Sequence, residues 1–182
     1  CSIDVDNVEL GRVAADHLAS LGHTRIMYVG GADQISNSRD RWQGFQEACQ
    51  GRGLILRDQQ VLKGAGWRLD ERERNALIQI LTSPNRPTAI FAAGYYFALD
   101  VYGAAATVGL RIPDELSVVG VDDPPSAAHL SPPMTTLRQP LVQLGHAAVT
   151  ALTDKIQHES NILESRTLRA ELVIRRSSAP GG

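Results

Sequence analysis

Two adjacent aspartates, Asp122 and Asp123, stand directly after the run Ser117-Val118-Val119-Gly120-Val121, an apolar, β-branched stretch bounded by turn formers. Such a run reads as a strand covered on both faces, as in a parallel sheet. In open α/β sheets ligands bind outside the carboxyl ends of the strands, so an acid pair there is placed to bind something rather than to support the fold. Asp122 is the candidate contact, because a carboxylate at that point can accept hydrogen bonds from two neighbouring hydroxyls. Either aspartate can instead cap the next turn by bonding its own downstream backbone.

Arg41, Trp67 and the pair Gly94-Tyr95 share that placement: they follow the strands expected at Ile26, Val61 and Ile90. In a parallel sheet such connections gather at one edge, so residues far apart in sequence converge on one small molecule. The planar fork of Arg41 suits vicinal hydroxyls or a carboxylate; a solvated pairing with Asp40 is the alternative. The indole of Trp67 can stack on the apolar face of a sugar, or pack at a surface. Tyr95 can supply a hydroxyl or a stacking face, and can equally fill the pocket.

These residues need a scaffold, and the periodicity supplies one. After Asp6 or Asn7 as a cap, Leu10, Val13, Ala14, His17, Leu18 and Leu21 recur at helical spacing until Gly22. A strand is expected at Ile26 to Val29. A helix capped by Ser36, Asn37 or Ser38 follows, with Trp42, Phe45 and Cys49 as its buried stripe. Val61 to Lys63 and Thr88 to Ala93 read as strands around a helix bearing Ala76, Leu77, Ile80 and Leu81, and a helix from about Phe97 to Val108 leads to the strand before Asp122. Beyond a proline-rich loop, Leu141, Leu144, Ala148, Leu152 and Ile156 mark a helix. Leu168, Ala170, Leu172 and Ile174 then alternate as a strand, and the Ser-Ser-Ala-Pro-Gly-Gly tail reads as disordered. Alternating strands and helices of this length imply a parallel, doubly wound α/β fold.

Composition narrows the classes. With 182 residues, 43% apolar content and a net charge of -2, the chain is expected to be a soluble globular domain. Its cations are scattered among acids, without the basic face that phosphate contacts need. No apolar run is long enough for a membrane helix. Cys1 and Cys49 are too few for a disulfide framework, which points to a reducing, cytoplasmic setting. Cys1 as the lipid-bearing first residue of an exported protein is the alternative, opposed by the strand expected at Ile3 to Val5. The sequence has no GxSxG elbow, Walker loop or HExxH, and no acid pair is joined by a nearby nucleophile. No enzyme, metal site or cofactor is therefore expected. His17, on a buried helical stripe, and His23, after a helix stop, read as hydrogen-bonded or packing residues.

The segments GLRIPDELSVVGVDD and PPMTTLRQP closely resemble the effector-binding domain of LacI-type bacterial transcriptional regulators, whose fold is shared with periplasmic sugar-binding proteins. SIDVDN, HLASLGHTRIMYVGG, SRDRWQGFQEA, PTAIFAAG and ELVIRRSS agree in order and spacing. The resemblance implies two periplasmic-binding-protein-like lobes with a ligand between them. Residues 1-23 would end a first, incomplete lobe, 24-137 would build most of the second, 138-169 would return to the first, and 170-182 would hold the last strand of the second and a tail. It also implies a small polar effector, a homodimer, and an operator DNA partner reached through a headpiece that this stretch lacks; an exported sugar-binding protein of a transporter is the alternative. By resemblance Asp122, Arg41 and the aromatic Trp67 are effector contacts, and Gln139 lies in the return crossing near the cleft or hinge. Asn37, at the start of the Arg41 helix, completes the candidate set. One departure stands out: Gly94-Tyr95 replaces the Asn-Asp common in similar regulators, which removes an amide that often bonds the effector.

Overall fold

The three strands at the centre of the molecule, β2 (Ile26–Gly31), β4 (Ala89–Ala92) and β5 (Ser117–Val121), are buried at every residue. In this computed structural model, which describes residues 2–158 and 165–181, they are joined by β3 (Val61–Gly64), β6 (Thr135–Arg138) and β8 (Glu171–Val173) in a six-stranded sheet ordered β3-β2-β4-β5-β6-β8. All its pairings are parallel except that of β8 with β6. Cys1 lies outside the described residues, and with it the lipid-bearing alternative.

Period-two alternation sorts the strand side chains to two cores. Met27, Val29, Ile90, Ala92 and Val118 pack with α3 (Glu71–Leu81) and α4 (Tyr95–Thr107). Ile26, Tyr28, Ala89, Phe91, Val119 and Val121 pack on the other face with α1 (Asn7–Ser20) and α2 (Ser36–Gly51). Helices on both faces of a mostly parallel sheet make the fold doubly wound. A second, two-stranded parallel sheet pairs β1 (Ile3–Val5) with β7 (Arg166–Leu168). Helix α5 (Leu141–His158) packs beside β1 and leaves Leu141, Val142, Val149, Leu152 and Ile156 exposed.

Helices α1 and α2 cross with almost no side chain between them. A Cβ on Gly11 would overlap the carbonyl oxygen of Arg41, and one on Gly44 would overlap the carbonyl oxygen of Val8. Asp6 caps α1 by accepting from the Glu9 amide at 2.9 Å, so Asn7 is left free of capping and starts the helix beside Arg41. Although expected in the lobe of β1, α1 contributes Leu10, Ala14 and Leu18 to the core beneath α2.

Four local expectations are corrected. The alternation at 168–174 is not one strand: it breaks at Arg169 and Ala170, and its halves join different sheets, β7 with β1 and β8 with β6. Strand β6 lies where a proline-rich return loop was expected, its buried threonines being satisfied by hydrogen bonds such as Thr136 Oγ1 to the Asp122 carbonyl at 2.7 Å. Helix α2 is capped by Ile35 without a side-chain bond; Ser36, Asn37 and Ser38 lie within it. The tail is ordered by design of its hydroxyls. Ser177 is fully buried and bridges β5 to β6: its Oγ accepts from the Thr135 amide at 2.8 Å and donates to the Val118 carbonyl at 2.6 Å, while its carbonyl accepts from the Val118 amide at 2.7 Å.

His23 pins the tail further. Its Nε2 lies 3.0 Å from the Ala179 carbonyl, which can only accept, so Nε2 carries the proton and Nδ1 accepts from the Thr88 hydroxyl at 3.0 Å. His17 Nε2 meets Ser178 Oγ at 3.0 Å. Burial holds the pKa of both imidazoles below the ordinary histidine value, with mutual repulsion adding to the effect at His17 and the Ala179 bond opposing it at His23.

Two outcomes follow from this packing. Gly11→Ala should lower the unfolding free energy by about 2–3 kcal/mol, the upper range for overpacking. Gly103→Ala, in the exposed middle of α4 where an added Cβ meets nothing within 4 Å, should raise it by about 1 kcal/mol through helix propensity; equal urea midpoints for the two variants would contradict the close crossing. The depressed histidine pKa values make the neutral forms favour folding, so that stability is fully present above about pH 6.5 and is lost as pH falls through the lower folded values. Urea midpoints measured from pH 7.5 to 5.5 should therefore fall with pH, and the fall should flatten in His17→Gln/His23→Gln; an identical slope in that double variant would remove the histidines as its cause.

Candidate functional site

The carboxyl ends of β2, β4, β5 and β6 form one edge, and the buried Arg41 guanidinium lies across it. From the second turn of α2, its Nε donates to Asn7 Oδ1 at 2.8 Å and its Nη1 to the Ala93 carbonyl at 2.9 Å, with only 6% of the residue exposed. Asn7 in turn donates to the Val5 carbonyl at 3.1 Å. One side chain thus ties the end of β1, the start of α1 and the end of β4. Asp40 is not its partner; that carboxylate takes Arg39 at 3.2 Å. Burial pulls the Arg41 pKa below the ordinary arginine value, while Asp122, Tyr28 and Asp4 attract the cation and oppose the shift. The guanidinium stays charged, with Nη2 making no bond to the protein among the described residues.

The adjacent aspartates have opposite fates. Asp123 turns inward, its side chain 4% exposed, and is held by Arg138 Nε and Nη2 at 2.9 and 2.7 Å and by Arg175 Nη2 at 3.0 Å, all on Oδ2. Its Oδ1 lies 2.7 Å from Arg175 Nη1, an ionic contact rather than an aligned hydrogen bond. Burial works to raise the Asp123 pKa, but the two arginines outweigh it and hold the carboxyl below its ordinary range. Asp123 therefore locks β5 to β6 and to the segment after β8.

Asp122 turns to the edge. Its φ of 68° is the only positive value among the described non-glycine residues, a conformation that costs about 1 kcal/mol or more and persists where surroundings over-determine it. Here its amide donates to the Leu137 carbonyl at 3.0 Å and its carbonyl accepts from Thr136. The carboxylate accepts a short hydrogen bond from the Gln139 side-chain amide. Gln139 immediately follows β6 at the start of the passage to α5, so this bond links the carboxyl edge to the crossing between the two sheets.

Other candidates are placed as follows. Gly94 is the N-cap of α4 in extended backbone, and Tyr95 donates its hydroxyl to Ser126 Oγ at 2.7 Å, spanning the ends of β4 and β5. Asn37 is half-buried on the first turn of α2 and makes no side-chain hydrogen bond among the described residues. Trp67 is 78% exposed and belongs to neither core. The structure thus joins Asp122, Gln139 and Arg41 at one edge, while Trp67 and Asn37 make no side-chain hydrogen bond among the described residues. Asn7 and Ser126 escaped sequence reading as site residues. The strand-end rule that picked out Asp122 would have found Asn7, two residues beyond β1. Surface hollows of about 630, 780 and 760 Å³ are lined by other residues, on α3, at the amino edge of the sheet and beside β8.

A family model described as a periplasmic binding protein-like domain matches residues 15–178. The chain belongs to that domain family. Among curated relatives of this periplasmic binding protein-like chain, the HTH-type transcriptional repressor PurR of Yersinia enterocolitica is 35% identical over 178 residues, covering 97% of this chain and 52% of the relative. The chain spans about half the length of the curated relatives it matches. Among solved structures, a transcriptional regulator CelR–cellobiose complex has a TM-score of 0.87 at 29% identity, covering 97% of this chain and 53% of that one. A LacI family transcriptional regulator from Enterococcus faecium with bound ribose has a TM-score of 0.85 at 26% identity, covering 100% and 67%.

The two aspartates separate cleanly by mutation. Asp123→Ala should cost about 1.5–3 kcal/mol, the range for a hydrogen bond to a charged group, because it takes the carboxylate from the largely covered Arg175. Asp122→Gly should change stability by no more than about 1 kcal/mol, since relief of the positive φ offsets the lost Gln139 bond. Chemical unfolding measures both, and a larger loss at Asp122 than at Asp123 would reverse the assignment.

Proposed function

We propose that this chain is the effector-sensing part of a LacI-type transcriptional regulator, which binds a small neutral polyhydroxylated metabolite and so modulates operator binding. The observation that carries the reading is the pairing of a buried donor with a strained acceptor at the carboxyl edge: Arg41 offers unused N–H groups and Asp122 a carboxylate whose partner is an exchangeable amide. Their charges cancel. A ligand with adjacent hydroxyls, each able to accept from the one and donate to the other, fits that pair without leaving a net charge buried, whereas an anion leaves Asp122 opposed. The similarity to regulators determined with cellobiose and with ribose supports the same ligand class.

On this reading β1, α5 and β7 belong to one lobe, and the six-stranded sheet with α1 to α4 to the other, so the boundary falls at Asp6 rather than at His23. Closure on the ligand shifts an equilibrium between two arrangements of a homodimer's DNA-binding headpieces, by as much as the ligand's difference in affinity for them. The relatives are transcriptional repressors, which favours a cytoplasmic sensor over both an enzyme and an exported solute-binding protein.

The full-length gene product should show a thermal shift with ribose, cellobiose or a related neutral sugar and none with the matching sugar acids, since ligand specific to the folded state raises apparent stability. Titration calorimetry should show Asp122→Ala weakening that sugar by about 10–100-fold, the range for a hydrogen bond to a charged group. Intact affinity in the variant would sink the site, and a helix-turn-helix missing from the gene product would sink the regulator.

A further inference from the structure

We propose that Asp100, inside α4, is a positioning residue that holds Trp67 as a rigid stacking platform for the flat face of the ligand; this rests on the polyol reading of the carboxyl edge. The indole is 78% exposed, so its face is open to a ligand. A ring on an unanchored loop would have to be ordered before it could bind. The loop from Ala65 to Asp70 is instead tied at several points. The Glu73 carboxylate accepts from the Ala65 amide at 3.1 Å and the Asp70 amide at 2.8 Å, so one side chain on α3 holds both ends of the loop. The Asp70 carboxylate in turn accepts from the Glu73 amide at 2.7 Å. The Leu69 side chain is buried in the core of α3 and α4. Arg74 Nη1 donates to the Leu69 carbonyl at 2.7 Å.

The remaining constraint comes from another helix. Asp100 is buried, and its Oδ2 accepts from the Leu69 amide at 2.8 Å; its Oδ1 faces Arg74 and Arg68 at 3.8 and 4.0 Å. With Leu69 clamped at both amide and carbonyl, only Gly66, Trp67 and Arg68 lie between fixed points, and Trp67 is the ring at the apex. Asp100 sits on the helix that begins at Gly94 and Tyr95, so the Trp67 loop and the Tyr95 end of the site are carried by one rigid element. A preorganised aromatic face binds without the entropy cost of ordering a loop. This gives α4 a second task, beyond filling the core, that its composition did not disclose.

The test uses Trp67 as its own reporter in Trp42→Phe protein, in which Trp67 is the one indole of these 182 residues and any tryptophan encoded outside them is replaced by phenylalanine as well. Time-resolved fluorescence anisotropy should follow overall tumbling alone in that background. Asp100→Ala should add a nanosecond component, the timescale of loop motion, that removes most of the residual anisotropy. Asp100→Asn, which keeps the acceptor for the Leu69 amide, should restore it. Arg74→Met, at a half-exposed position, should introduce part of the same component and keeps the question answerable if Asp100→Ala fails to fold. A fast component already dominant in the Trp42→Phe background, or anisotropy unchanged in both Asp100→Ala and Arg74→Met with circular dichroism melts retained, would overturn the platform. Titration with ribose and cellobiose separates the two claims: a rigid indole whose emission neither sugar alters would sink the polyol reading while leaving the positioning role standing, and a several-fold weaker sugar affinity in Asp100→Ala, rescued by Asp100→Asn, supports both.

Discussion

The reciprocal contact of Gly11 with the Arg41 carbonyl and of Gly44 with the Val8 carbonyl is the constraint on which the carboxyl edge depends. Two helices that approach this closely have almost no freedom to slide, because any displacement drives backbone into backbone. The crossing therefore decides where Asn7 stands relative to Arg41, and Asn7 in turn aligns the guanidinium with the end of β4. Burying an arginine costs several kcal/mol unless its donors are met. Here two of its nitrogens are met by protein, the field of Asp122 offsets part of the rest, and Nη2 keeps its donors free of protein partners among the described residues.

Beside that arginine, two identical side chains divide two tasks. Asp123 spends its charge on holding β5, β6 and the segment after β8 together through Arg138 and Arg175. That lock, with Thr136 and Leu137 gripping the peptide of Asp122, is what keeps a non-glycine residue at positive φ. Strain at Asp122 is thus maintained by stability next door. Gln139 completes the arrangement by placing an amide on Asp122 from the chain that leads away to α5 and the second sheet. One hydrogen bond thus ties Asp122 to that passage.

The tail serves the same edge from the opposite end of the sheet. Ser177 fills the gap where β5 and β6 splay, and His23, His17 and Leu21 hold the residues beyond it. Segments 171–173 and 175–181 therefore act as a strap across β6, the strand that delivers Gln139. Polar residues in this strap are buried without penalty because each finds a partner within it or across it.

The sequence by itself determined the elements whose signal is local. The apolar β-branched runs of β2, β4 and β5, the helical stripes of α1 to α4 and the placement of Asp122, Arg41 and Gly94-Tyr95 at strand ends follow from periodicity and turn residues, which are properties of neighbours in the chain. It did not determine β6, the split of 168–174 between two sheets, or the ordered tail. Those depend on partners 14 to 163 residues away: Thr136 reads as loop until the Asp122 carbonyl is opposite it, and a Ser-Ser-Ala-Pro-Gly-Gly end reads as disorder until β5 and β6 leave Ser177 a place to bond. Only the tertiary structure decided which of two adjacent aspartates locks the sheet and which faces the carboxyl edge, because side chains at successive positions point to opposite sides and the arginines that choose between them arrive from β6 and from beyond β8.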